Sequence, residues 1–242
     1  MALFKNPFSS PAAAPKPPQV PPVPAHLPKI TAPKAADITQ HSDPSPAAKS
    51  VLTPQQTPSQ YLGALQEKHL GGDMVKTMAH GMPDREGTHW AAQSAAKVSD
   101  KLPAADVHAM KAAQTWVKNP TADNQAAAGA AAEKAGHKGP GALAAQSAAW
   151  SKPAGTPAGE RMAPHSVAGA VLMSSAIKAN PALAAPTAQA PAIPALQAPQ
   201  VPATPQAPAA TMPPAVQAHM FKQQHPFIAM GLDIASGKSV PG

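Results

Sequence analysis

Ten histidines in a chain without cysteine are the first residues that could do chemistry. Six of them, His69, His80, His89, His108, His137 and His165, fall in the stretch that reads as helical. A zinc site on one helix needs convergent ligands, as in HExxH with its i,i+4 histidines. None of the six has that spacing, so solvated or capping histidines are the simpler reading, and no metal or cofactor is expected. The absence of cysteine removes disulfides, thiolate metal sites and cysteine nucleophiles. Ser94, Ser147, Ser166, Ser174 and Ser175 offer hydroxyls, but none lies in GxSxG after a strand. On alanine-rich faces a small hydroxyl lets helices approach and bonds to a preceding carbonyl. Asp84 and Glu86 are the closest carboxylate pair. They follow Pro83 in a first helical turn, where they complement the helix dipole. The segment GHKGPG (136–141) has glycines and a lysine before a helix, yet it lacks the GxxxxGK[ST] pattern and a leading strand. A helix end followed by a new start explains it. No catalytic residue is assigned.

Binding chemistry is concentrated at the N-terminus. Leu3, Phe4 and Phe8 place bulky groups in a stretch that otherwise has few, and they are the candidate partner-binding residues, with an incidental terminus as the plainer alternative. PKPPQVPPVP (15–24) has PxxP-like spacing beside a lysine, which suits recognition as a polyproline II helix or use as a spacer. The net charge of +7 is dispersed, arginine is confined to Arg85 and Arg161, and no aromatic motif accompanies the lysines. Nucleic-acid binding is therefore disfavoured.

These residues must be positioned by helices. The 33 prolines divide the chain, with 14 in residues 1–58, 7 in 59–179 and 10 in 180–214. Proline lacks an amide donor and restricts its predecessor, so 1–58 is expected to be a disordered arm and 180–214 a linker. Between them, Pro83, Pro103, Pro120, Pro140 and Pro164 each precede helix formers, as suits the first helical position. Helices are predicted over 59–69, 72–80, 83–99, 103–118, 121–136, 140–151 and 164–179. A last one over 215–236, broken near Pro226, should dock on the domain 59–179. The fold class is all-α, a compact bundle of about six to eight short helices flanked by proline-rich segments. Large residues are scarce, so the predicted core is Trp90, Trp116, Trp150, Val171, Leu172, Ile228 and Leu232. Trp90 and Trp116 are expected to share one helix–helix contact. AAQSAAK (91–97) and AAQSAAW (144–150) echo each other, which chance similarity in an alanine-rich chain explains. No segment offers about 18 uninterrupted apolar residues, so no membrane span is expected.

Five stretches, HWAAQSAAKV (89–98), LPAADVHAMKAAQTWVKNPTADNQAAAGAAAEKAG (102–136), AAQSAAW (144–150), VAGAVLMSSAI (167–177) and FIAMGLDIASG (227–237), resemble an uncharacterised bacterial alanine-rich helical family. Its members are often encoded beside type VI secretion genes. The paired Trp90 and Trp116 and the closing GLDIASG are the most specific elements of the likeness. The proline-rich insert 180–214 departs from the shorter connection of that family. The resemblance supplies no catalytic set. It implies a cytoplasmic accessory or adaptor role beside a contractile secretion machine, with a protein partner. Two other classes stay open: an immunity-type protein that blocks a toxin, and an enzyme whose pocket the sequence does not show.

Overall fold

The computed structural model describes residues 21–153, 155–184 and 213–238. They form ten α-helices and, among the described residues, no strand. The helices are α1 (Ala35–Ser42), α2 (Pro46–Ser50), α3 (Pro58–Glu67), α4 (Gly71–Gly81), α5 (Asp84–Ala96), α6 (Ala104–Lys118), α7 (Ala122–Lys134), α8 (Pro140–Ala149), α9 (Ala163–Ala179) and α10 (Pro214–Ala235). Proline punctuation sets many of the starts. Pro46, Pro58, Pro140, Pro164 and Pro214 occupy the first or second helical position, and Pro83 and Pro103 stand one residue before α5 and α6. A missing amide costs nothing there, because first-turn amides have no intrahelical partner.

α8 is the hub and touches α5, α6, α7 and α9. Its sequence explains why. Gly141, Ala142, Ala144, Ala145, Ser147 and Ala148 are buried, so backbones rather than long side chains meet. A Cβ on Gly141 would sit 2.1 Å from the carbonyl oxygen of Asp106, so α6 and α8 approach as closely as only glycine permits. The Asp106 carboxylate accepts from the Gly141 and Ala142 amides, at 3.2 and 2.6 Å, and so caps α8 from a distance of 35 residues in sequence. Burial pushes this carboxyl up, and the two amide bonds pull it down. On the other side α4 is the organiser and packs against α1, α3, α9 and α10.

The structure corrects the expectation of a disordered arm over 1–58. Residues 1–20 lie outside the described residues, but 21–58 is folded. Leu27, Ile30, Ala35, Ile38 and Ala48 belong to the core. The prolines of this stretch bound short helices instead of preventing structure, and its few large residues are buried against other parts of the chain. Ser45 caps α2 while its own amide and hydroxyl donate to Asp73, both at 2.8 Å. Buried Tyr61 donates to the Ala48 carbonyl at 3.2 Å, and burial with the nearby Asp73 charge pushes its phenol up to about 12. Lys29 pairs with Glu86 at 2.9 Å, and its amide donates to the Ala235 carbonyl at 3.0 Å. The arm thus clasps the end of α10.

α10 packs against α4, α9 and α5. The expected break near Pro226 is absent, and the helix runs through it. Pro226 removes the bond to the carbonyl of Lys222 and crowds that carbonyl, and Lys222 lies on the exposed side of the helix. Residues 185–212, the greater part of the expected linker, lie outside the described residues. No helix among the described residues is long and apolar enough to cross a membrane.

Of the predicted core, Trp90, Val171, Ile228 and Leu232 are buried, and Trp116 is 6% exposed. Leu172 is half-buried at the edge of the core. Trp150 is a correction, since it is 41% exposed. It is the C-cap residue of α8, where the chain leaves the helix, and the face pattern of the preceding turns no longer aims its side chain. Trp90 and Trp116 also divide their roles. α5 and α6 are neighbours, but the Trp90 indole turns to α10, where its Nε1 donates to the Phe227 carbonyl at 2.9 Å.

Candidate functional site

The first turn of α5 reads Asp84-Arg85-Glu86, and each of the three side chains holds a different part of the chain. Asp84 Oδ1 accepts from Arg161 Nε at 2.7 Å and also from Nη2, while Oδ2 accepts from the Lys152 amide at 2.8 Å. Arg85 Nε donates to the Val117 carbonyl at 2.8 Å, satisfying an orphan acceptor at the end of α6. Glu86 takes Lys29 of the arm. The Asp84–Arg161 pair is buried, with side chains 2% and 12% exposed. Arg161 also donates to the carbonyls of Met82 at 2.5 Å and His80 at 3.3 Å, closing the end of α4. Gln125 Nε2 likewise meets the Ala148, Ala149 and Ser151 carbonyls at the end of α8, at 3.3, 3.1 and 2.9 Å.

These groups border a cleft of about 810 Å³ between five segments: the arm, the end of α4 with the start of α5, the end of α6, Gln125 of α7 and the loop 151–161. Its polar walls are largely engaged in capping helix ends and pairing with one another, so the cleft is first a junction of five chain segments.

His80 also borders the cleft and is buried, with Nδ1 lacking a partner. The His165 ring lies edge-on to it, centroids 4.7 Å apart. Burial, then the charges of His165, Arg161, His41 and Lys76, lower its pKa to about 3. The imidazole is therefore neutral in the fold and takes a proton at pH 6.5 when unfolded. Between those values the unfolded chain binds the extra proton. Stability is then full above pH 6.5 and falls as pH drops toward 3, by about 1.4 kcal/mol per unit. His89, lowered by burial and Arg85 against an opposing Glu86, and His225, lowered by burial, act in the same sense. Urea midpoints should thus fall from pH 7 to pH 5, and His80→Gln should flatten that slope. A midpoint unchanged across the range would show that His80 is not a buried neutral group.

The histidines considered in sequence do not converge on a metal, and no group of three His, Asp or Glu suited to one occurs among the described residues. Four of the five serines bond elsewhere, and the buried Ser94 hydroxyl has no hydrogen-bond partner among the described residues. Ser147 Oγ donates to Ala144 O and contacts Thr88 Oγ1, Ser174 donates to Ala170 O, Ser175 to Leu172 O and Ser166 to Gln146 Oε1. Leu3, Phe4 and Phe8 lie outside the described residues. The sequence reading missed the Asp84–Arg161 clamp, whose partners are 77 residues apart, and the meeting of His80 with His165. It also missed the exposed Val216 and Met220 on α10, although their i,i+4 spacing was a readable signal.

Fold and site together define an all-α bundle whose charged cleft holds its elements in place. The chain belongs to a family of unknown function, DUF6931, which matches residues 61–194. The match leaves out the arm and α10. No curated protein and no solved structure matches the chain.

Proposed function

We propose that this protein is a non-enzymatic protein–protein interaction module, an accessory or adaptor of a bacterial type VI secretion-like machine, and that α10 presents its contact surface. One observation carries the interaction role. From Phe221 onward α10 buries an apolar face in the body, whereas in its first two turns Val216 and Met220 are 45% and 41% exposed. Their i,i+4 spacing makes one apolar stripe on a helix that follows a proline-rich stretch. A short amphipathic stripe of this kind suits a hydrophobic groove on a partner. The secretion context rests on the sequence resemblance, and a chain without cysteine fits a cytoplasmic setting.

A photoreactive residue at position 220, introduced in cells of the source bacterium, tests this reading. The expected result is crosslinking to one protein of the secretion machine, with none from the same group at exposed Lys138. Equal, diffuse labelling from both positions would overturn it.

A further inference from the structure

Three histidines from three separate elements gather beside the cleft: His41 of α1, His80 near the end of α4 and His165 in the first turn of α9. His80 is buried, His41 half-buried and His165 exposed, so the cluster runs from the core to solvent. The His165 ring stands edge-on to His80, and His80 Nδ1 has no hydrogen-bond partner among the described residues. His41 packs on the loop 151–161, where a Cβ on Gly159 would come within 3.2 Å of its Cε1. Arg161, the last residue of that loop, donates to the His80 carbonyl at 3.3 Å. The loop and the start of α9 therefore cover His80.

The charges that face His80 among the described residues are all cations: Arg161 of the loop, Lys76 of α4 and, once protonated, His41 of α1 and His165 of α9. Lys76 is tied to the Asp43 carbonyl at 3.0 Å and Arg161 to Asp84, which holds both near the ring. The carboxylates of the cleft are committed elsewhere. Asp84 takes Arg161 and the Lys152 amide, Glu86 takes Lys29, and Asp37 takes the Lys34 amide. A proton on His80 thus meets repulsion and no counter-charge. The cover is also the part with least to hold it. Lys152, Pro153, Gly155, Pro157, Gly159 and Glu160 are exposed, and α9 starts without a side-chain cap. Segments with few buried contacts open first.

We propose that His41, His80 and His165 form an acid-sensitive latch, which in mildly acidic solution frees the loop 151–161 and the first turn of α9 from α1 and α4 and so opens the cleft. Opening gives His80 back to water, where it takes the proton that the closed fold refuses. With the imidazole at about 3 when covered and at its ordinary 6.5 when released, the open population rises about twentyfold from pH 7 to pH 5.

Amide hydrogen exchange of the full chain, read by NMR at pH 7 and pH 5 and corrected for the intrinsic pH dependence of exchange, tests this. The Lys152 amide is the reporter, because it donates to Asp84 Oδ2 where the loop meets α5. Its protection should fall about twentyfold between the two pH values. It should lie at least about tenfold below that of Ala144 and Ala145 in α8 and should not respond to low urea, as a local opening requires. His80→Gln should reduce the pH effect to less than about threefold, and His41→Gln/His165→Gln, at less buried positions, should also shrink it. Three results would overturn the proposal: protection of Lys152 that is the same at both pH values, exchange of Lys152 with the urea dependence of the α8 amides, or an undiminished pH effect in both variants.

Discussion

Trp90→Ala is expected to destabilise the protein by about 3–5 kcal/mol, the usual cost of emptying a tryptophan-sized site. In a chain of this size that lowers the melting temperature by roughly 6–20 °C. The reason is that Trp90 joins two parts of the chain that are 137 residues apart. It is fully buried in the middle of α5, and its indole N–H donates to the Phe227 carbonyl of α10 at 2.9 Å. The ring lies flush against Gly231, where an added Cβ would come within 2.6 Å of Cζ2. Gly231→Leu alone should therefore be severe as well, by overpacking. The two changes are coupled in shape. In the double variant the leucine side chain can enter the space left by the indole, so the combined loss should be smaller than the sum of the single losses. Thermal melts of the four chains check this. Simple additivity, or a single Trp90→Ala variant with an unchanged melt, would show that α10 is not seated on Trp90.

Asp84→Ala should cost a similar amount, about 3–5 kcal/mol, because it leaves the buried Arg161 guanidinium without its counter-charge. The Lys152 amide loses its acceptor in the same step, so the loop 151–161 is released from the start of α5 and keeps the Arg161 bonds to the Met82 and His80 carbonyls. Removing both ions is a different experiment. Asp84→Leu with Arg161→Met takes away the desolvation cost along with the attraction, and should restore much of the loss. If Asp84→Ala leaves the urea midpoint where it was, the pair is solvated in solution and does not clamp the junction.

What was legible in the sequence was local. Pro83, Pro103 and Pro140 mark the starts of α5, α6 and α8 because helix starts depend on one missing amide and a few neighbours. The apolar face of α5 is legible for the same reason. Its residues recur with the helical period, and that period put Trp90 inside. The rest depends on distant partners. Leu27, Ile30 and Ile38 look too sparse to fold, and they are buried only because α4 and α10 come to them from elsewhere. Asp84 was read through the helix dipole, a nearest-neighbour effect, while its main partner sits 77 residues away. Trp150 failed at a helix end, where periodicity stops carrying information. Pro226 failed in the opposite direction, since a body packed along α10 holds the helix across a residue that would end it in isolation.

The interaction role is tested most directly by co-purification from the source cells with the full chain and with Val216→Glu/Met220→Glu. Both positions are exposed, so the double variant should melt at the wild-type temperature. If α10 carries the contact, the wild-type chain retains a secretion-machine protein and the variant loses at least about tenfold of it, as a charge placed in an apolar contact requires. Equal retention by two equally stable chains would contradict it.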